Sequence, residues 1–162
     1  MYKGRELKGM PVFALEEQKK IAQVEDLVVE HSTGKLLGFI VSNTGLWKTN
    51  KFLPYHAVSV LSPKGISVEN KKVLQKNQKQ YHALLQQDWL GAKVYDAKGA
   101  DFGTVADVLL EYPQGNLSGL EISGGLVNDL SQGRTFLPWQ EVRINSTHGF
   151  MTNFQQDREN LS

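Results

Sequence analysis

The sequence predicts an all-β protein: two small barrels in tandem, joined by a connector. Two observations carry that expectation. The first is a duplication. Phe52-Leu53-Pro54-Tyr55 with Val58 recurs 84 residues later as Phe136-Leu137-Pro138-Trp139 with Val142. Gly34, Leu36 and Gly38 recur 81 residues later as Gly115, Leu117 and Gly119, and Val24, Asp26 and Val28 as Val105, Asp107 and Leu109. Gly9 and Val12 recur at an offset of 82 as Gly91 and Val94, and Gly65 recurs as Gly149. Small drifts in offset are what loop insertions produce when the elements between them are kept. The second observation is the texture of each copy: short β-branched or alternating runs, punctuated by glycine turns, which favour a sandwich or barrel. A unit this small closes best into a barrel, because closure removes exposed strand edges.

Each copy begins with a glycine and an apolar step, Leu7 to Phe13 and Leu90 to Tyr95, which reads as a first strand. In the second copy Asp96-Ala97-Lys98-Gly99 is a hairpin signal, with glycine available for positive φ. The first copy has the charged Glu16 to Lys20 there instead, and Ala22 stands where the second copy has Gly103. The clearest strands are Val24 to Val29 and Val105 to Leu110, each with an aspartate at a matched position. A glycine-containing turn joins each to a strand bearing an interior glycine, Gly38 or Gly119. Interior glycine marks a bend or a close backbone approach. Proline in Phe-Leu-Pro cannot donate to a ladder, so the strand ends there or lies at an edge. Val58 to Val60 and Val142 to Ile144 form a further strand, and a turn at Gly65 or Gly149 leads to a closing one, giving five or six strands per unit.

These limits place the first unit at residues 3–70, a connector at 71–87, the second unit at 88–153 and a tail at 154–162. Units this size bury only about 60% of their unfolded surface and are marginal alone, so each is expected to lean on its sister. The connector lacks glycine and proline and is rich in helix formers, which predicts two or three helical turns.

Cysteine is absent, which excludes disulfides and thiolate metal sites and agrees with a cytoplasmic location. No apolar run approaches the roughly 18–20 residues that span a bilayer. Net charge is +1, which argues against a broadly nucleic-acid-binding chain, yet it is unevenly spread. Residues 1–80 hold 13 Lys/Arg against 7 Asp/Glu, and residues 81–162 hold 5 against 10. Much of the excess is Lys71, Lys72, Lys76 and Lys79 in the connector, a candidate basic patch whose simpler reading is a solvated linker.

The ordered set, with Gly103-Thr104-Val105-Ala106-Asp107-Val108, a glycine turn, a glycine-bearing strand and hydrophobic-Leu-Pro-aromatic-x-x-Val, resembles the PRC-barrel family. That is the small barrel of the photosynthetic reaction centre H subunit and of the C-terminal domain of the ribosome maturation factor RimM. The resemblance covers nearly the whole chain outside connector and tail. It implies an all-β interaction module and no reaction, and neither relative's specific job carries across, because fold does not fix function.

No catalytic, cofactor or metal constellation stands out. None of His31, His56, His82 and His148 has a metal-type partner at i+2 to i+4. Asp26 and Asp107 could be acid/base carboxylates, but a repeated acid more simply serves the unit by accepting backbone hydrogen bonds. Leu46 and Trp47 with Lys48, and Leu126 and Val127 in the other copy, lie in corresponding glycine-flanked loops; apolar side chains at such tips more often fold back over a barrel end, and otherwise these are candidates for a partner surface. The leading expectation is therefore a non-enzymatic scaffold for a protein partner, with homodimerisation open. An RNA- or ribosome-associated factor is the runner-up, resting on the connector lysines, and a small-ligand barrel is third.

Overall fold

Both halves form the same six strands in the same order, in a computed structural model that describes residues 1–84, 88–124, 133–145 and 149–153. Ahead of the first copy come β1 (Tyr2–Lys3) and a single helical turn, α1 (Gly4–Leu7). The copy itself is β2 (Pro11–Ala14), β3 (Lys19–Glu30), β4 (Lys35–Asn43), β5 (Asn50–Pro54), β6 (Val58–Ser62) and β7 (Gly65–Val68). The connector holds β8 (Gln75–Lys76). The second copy repeats the pattern as β9 (Lys93–Asp96), β10 (Asp101–Glu111), β11 (Asn116–Ser123), β12 (Thr135–Pro138), β13 (Val142–Asn145) and β14 (Gly149–Thr152). The charged loop of the first copy makes its hairpin after all, because Gln18 takes the left-handed conformation (φ 51°) that Gly99 (φ 78°) takes in the second.

Within the first copy the strands run β5-β4-β3-β2-β7-β6. Strands β2 and β7, the first and last of the unit, pair in parallel and curl the sheet on itself, as β9 and β14 do. Pro54 and Pro138 end β5 and β12, and a one-turn 3-10 helix (Tyr55–Ala57, Trp139–Glu141) turns the corner into β6 or β13. Val12, Val24, Leu27, Phe39, Val41, Leu53 and Ile66 fill the first barrel and Val94, Val105, Val108, Leu120, Ile122 and Leu137 the second, in one buried cluster running through both copies. The two small units thus share one buried core.

Two bulges recur at matched places on the long hairpin. One lies between Val24 and Asp26 and between Val105 and Asp107. At each, the aspartate Oδ1 accepts the next residue's N–H, from Leu27 at 2.8 Å and from Val108 at 2.9 Å. The repeated acid thus supplies an acceptor where the ladder is broken. The other bulge faces Gly38 and Gly119. A Cβ on Gly38 would meet Phe52 Cζ at 2.7 Å, and one on Gly119 would meet Phe136 Cε2 at 2.5 Å, so the Phe of each Phe-Leu-Pro lies over the strand glycine.

The copies join through β4 and β11, whose first residues pair antiparallel, Lys35 opposite Asn116. The contact is reciprocal: Leu36 N–H donates to Gly115 O and Leu117 N–H to Gly34 O, both at 2.8 Å. Gly34 (φ 70°) and Gly115 (φ 72°) are left-handed and buried. Over Gly34 lies the Trp139 indole, and over Gly115 the Tyr55 ring, each from the other copy. Added Cβ atoms would stand 2.6 Å from Trp139 Cε2 and 2.8 Å from Tyr55 Cδ1. Tyr55 Oη also donates to Pro113 O at 3.0 Å. The aromatic after Leu-Pro is therefore an interface residue in both copies.

The lead-in to each barrel lies on its sister. Strand β1 pairs with β10, Tyr2 opposite Leu110. The 3-10 turn at Lys79–Leu84, ahead of the second copy, packs beside β3. Leu7 and Trp89 occupy equivalent buried positions. Trp89 stacks on Trp139 (centroids 5.6 Å apart, planes at 6°) and donates from Nε1 to His31 Nε2 at 3.2 Å. Burial holds the His31 imidazole below its ordinary range, against the pull of Asp88. Among its described residues the connector forms no α-helix but 3-10 turns at Lys71–Val73 and Lys79–Leu84 around β8. Its helix formers lose to ladder bonds with β5 and to the stacking of half-buried Tyr81 on Phe52, since tertiary contact outweighs intrinsic propensity.

Gly115→Ala is expected to cost about 1–3 kcal/mol from overpacking against Tyr55, beyond about 1 kcal/mol for the left-handed backbone. Gly99→Ala, with open space around it, carries only the backbone cost. Urea unfolding of the two variants measures the difference.

Candidate functional site

The loop between β4 and β5 carries the apolar pair that the sequence singles out. Leu46 is 101% exposed and Trp47 86%, so neither folds back over the barrel end. The base of the loop is fixed: Asn43 Oδ1 accepts the Thr49 N–H at 3.0 Å, and Asn43 N–H donates to Thr49 O. A pinned base holds the tip away from the body. Lys48 is exposed beside the pair. Leu126 and Val127, the matching residues of the second copy, lie outside the described residues.

The basic stretch is spread over the connector's elements. Lys71 and Lys72 lie on the first 3-10 turn, where Asn70 Oδ1 caps the Lys72 N–H at 3.0 Å and Glu17 accepts the Lys71 N–H at 3.2 Å. Lys76 is on β8 and Lys79 opens the second turn. All four are exposed, and among the described residues none has a carboxylate within 4.0 Å of its ammonium. The structure adds Lys51, directly opposite Lys76 across β5 and β8. Like charges in direct opposition repel, so this pairing weakens the ladder unless an anion sits against it.

A third cluster had no signal in the sequence. Asp107 and Glu121 face each other across β10 and β11, both buried. Adjacent buried carboxylates must be offset by cations. Lys3 Nζ lies 2.8 Å from Glu121 Oε2, and Arg134 Nη1 donates to Glu121 Oε1 at 2.7 Å. Arg5 Nε lies 3.2 Å from Asp107 Oδ2, a charge contact without good hydrogen-bond alignment, and the Arg5 N–H donates to Asp107 Oδ1 at 3.3 Å. Burial pushes the Glu121 carboxyl up, but the hydrogen bonds and charges of Lys3 and Arg134 outweigh it and hold the carboxyl below its ordinary range. A carboxylate held ionised in this way is not poised to donate a proton. The cluster fastens the N-terminal segment to the second barrel. It has no counterpart in the first copy, where Ile40 faces Asp26. Lys3 stands 118 residues before Glu121 in the chain, and only the exchange of lead-in segments brings the two together.

Of the histidines, His31 is engaged by Trp89 and His56 is exposed on its 3-10 turn. The side chain of His82 and the whole of His148 lie outside the described residues. No described helix is long and apolar enough to cross a membrane.

Because the folded Glu121 carboxyl titrates below its ordinary 4.5, its contribution to stability is complete above that value and falls away as pH drops through the lowered one. Glu121→Gln is expected to flatten the acid limb of the stability–pH curve, so the gap to wild type narrows below pH 4.5. Chemical denaturation between pH 3 and 7 reads this; parallel curves would refute the assignment.

A family model for the PRC-barrel domain matches residues 1–79 and again residues 83–156. A search of curated proteins gave no match.

Proposed function

The chain belongs to the PRC-barrel family, with two tandem copies of its domain, and from that premise we propose that it is a non-enzymatic, cytoplasmic scaffold that binds a protein partner through the Leu46-Trp47-Lys48 tip. The observation that carries this reading is the near-complete exposure of a leucine and a tryptophan side by side on a loop whose base is tied down. Leaving two large apolar side chains in water forgoes about 1.5–3 kcal/mol each of burial. Tryptophan in particular supplies large contact area for little loss of side-chain freedom. The locked interface between the barrels provides the rigid base that such a contact needs. Leu126 and Val127 are proposed as the matching contact of the second copy.

A second reading has its own observation. Lys51 and Lys76 in opposition, with Lys71, Lys72 and Lys79 on the same connector, suit an anionic partner such as RNA. The third, a small-ligand barrel, draws no support from interiors occupied by the barrels' own side chains.

Trp47→Ala should change stability by no more than about 0.5 kcal/mol, as for other exposed positions, while reducing recovery of protein partners from lysate at least tenfold. Equal recovery on wild type and variant would remove the tip from the interface. Fluorescence anisotropy with structured RNA separates the second reading: binding that weakens steeply with salt and survives Trp47→Ala favours the lysines.

A further inference from the structure

The two copies differ in one feature that the duplication makes readable. In the first, connector strand β8 adds antiparallel to the outer edge of β5, Gln75 opposite Phe52 and Lys76 opposite Lys51. Tyr81 then stacks on the Phe52 ring, centroids 4.1 Å apart and planes at 20°. With Val28, Ile40 and Leu37 they form a small apolar cluster on the outside of the barrel, in which Phe52 is only 4% exposed.

In the second copy the equivalent strand is β12 and the equivalent ring is Phe136. The receiving geometry is preserved. Phe136 lies over Gly119 as Phe52 lies over Gly38, and it faces Glu121 across the ladder as Phe52 faces Ile40. The floor differs, since Ser118 and Glu121 stand at the positions of Leu37 and Ile40, and so does the cover. Among the described residues β12 has a single strand neighbour, β11, and Phe136 is 45% exposed. The place of Lys51 is taken by Thr135, so the like-charge opposition that burdens the β5–β8 pair is absent there.

From this we infer that the edge of β12 left unpaired among the described residues, with Phe136, is a docking site for an extended segment of a different protein, which adds a strand to β12 and stacks an aromatic side chain on Phe136. The first copy shows the bound form within the same molecule. Strand addition supplies main-chain hydrogen bonds that are indifferent to sequence, and the exposed Phe136 ring supplies selectivity. The ring pair replaces exposed aromatic surface with a stacked contact. The site is separate from the Leu46-Trp47 tip and does not depend on it.

The probe is a synthetic peptide of residues 71–84, the segment that occupies β5, added to the isotopically labelled full chain. Amide resonances of Thr135, Phe136 and Leu137 are expected to shift on titration. Phe136→Ala in the protein, or Tyr81→Ala in the peptide, should weaken binding at least tenfold, and Trp47→Ala in the protein should leave it unchanged. The inference is overturned if those three amides do not move, if the shifts fall on β5 instead, or if Phe136→Ala binds as wild type. Two further measurements identify other occupants, and either result also overturns it. A chain ending at residue 153 that alone binds the peptide would mean that residues 154–162 fill the edge. Sedimentation showing a dimer that Phe136→Ala dissociates would mean that a second copy does.

Discussion

The arrangement of this molecule depends on two left-handed glycines, Gly34 and Gly115, each lying beneath an aromatic ring from the opposite copy. A side chain at either position would collide with Trp139 or Tyr55, so the hairpin turn and the Leu-Pro-aromatic motif constrain each other across the interface rather than within a barrel. The two backbone hydrogen bonds between Leu36 and Gly115 and between Leu117 and Gly34 fix the register there. Everything outside the interface inherits its position from that contact: the joined sheet, the shared core and the exchange of lead-in segments.

Duplication with that interface kept leaves the outer surfaces free to diverge, and they have. At the position where the first copy has Ile40, the second has Glu121, and a buried carboxylate beside Asp107 calls for Lys3, Arg5 and Arg134. The same exchange draws Tyr2 and Tyr112 to β6, where Tyr2 Oη donates to Leu61 O and Tyr112 Oη accepts the Leu61 N–H, both at 3.4 Å. Two hydroxyls thereby satisfy backbone groups on an edge strand, which also blunts that edge against unwanted pairing. On the first copy the connector covers Phe52, and on the second Phe136 stays open.

Much of this was legible because repetition separates what the unit needs from what one copy happens to carry. The matched aspartates read as acceptors for the backbone, and each fills that role at a bulge. The interior glycines read as close approaches, and each underlies a phenylalanine. The connector's helix formers carry a propensity of only tenths of a kcal/mol per residue, and they form 3-10 turns flanking a short strand. A β-ladder and one half-buried tyrosine outweigh a continuous α-helix. The charge cluster was invisible, since Lys3, Asp107, Glu121 and Arg134 form no local pattern and copy one offers no precedent for Glu121.

By itself the sequence determined the strands, their turns and the twofold repetition, because period, glycine and proline act within a few residues of where they stand. It determined equally that Leu46 and Trp47 sit at a loop tip. Only the tertiary structure decided which side of the molecule each segment serves: that Tyr55 and Trp139 lock the opposite copy, that the N-terminus fastens to the second barrel, and that Phe52 is covered while Phe136 is not. The reason is physical. Contacts between residues some 80 positions apart depend on how two finished barrels meet, and no local preference of the chain encodes that meeting.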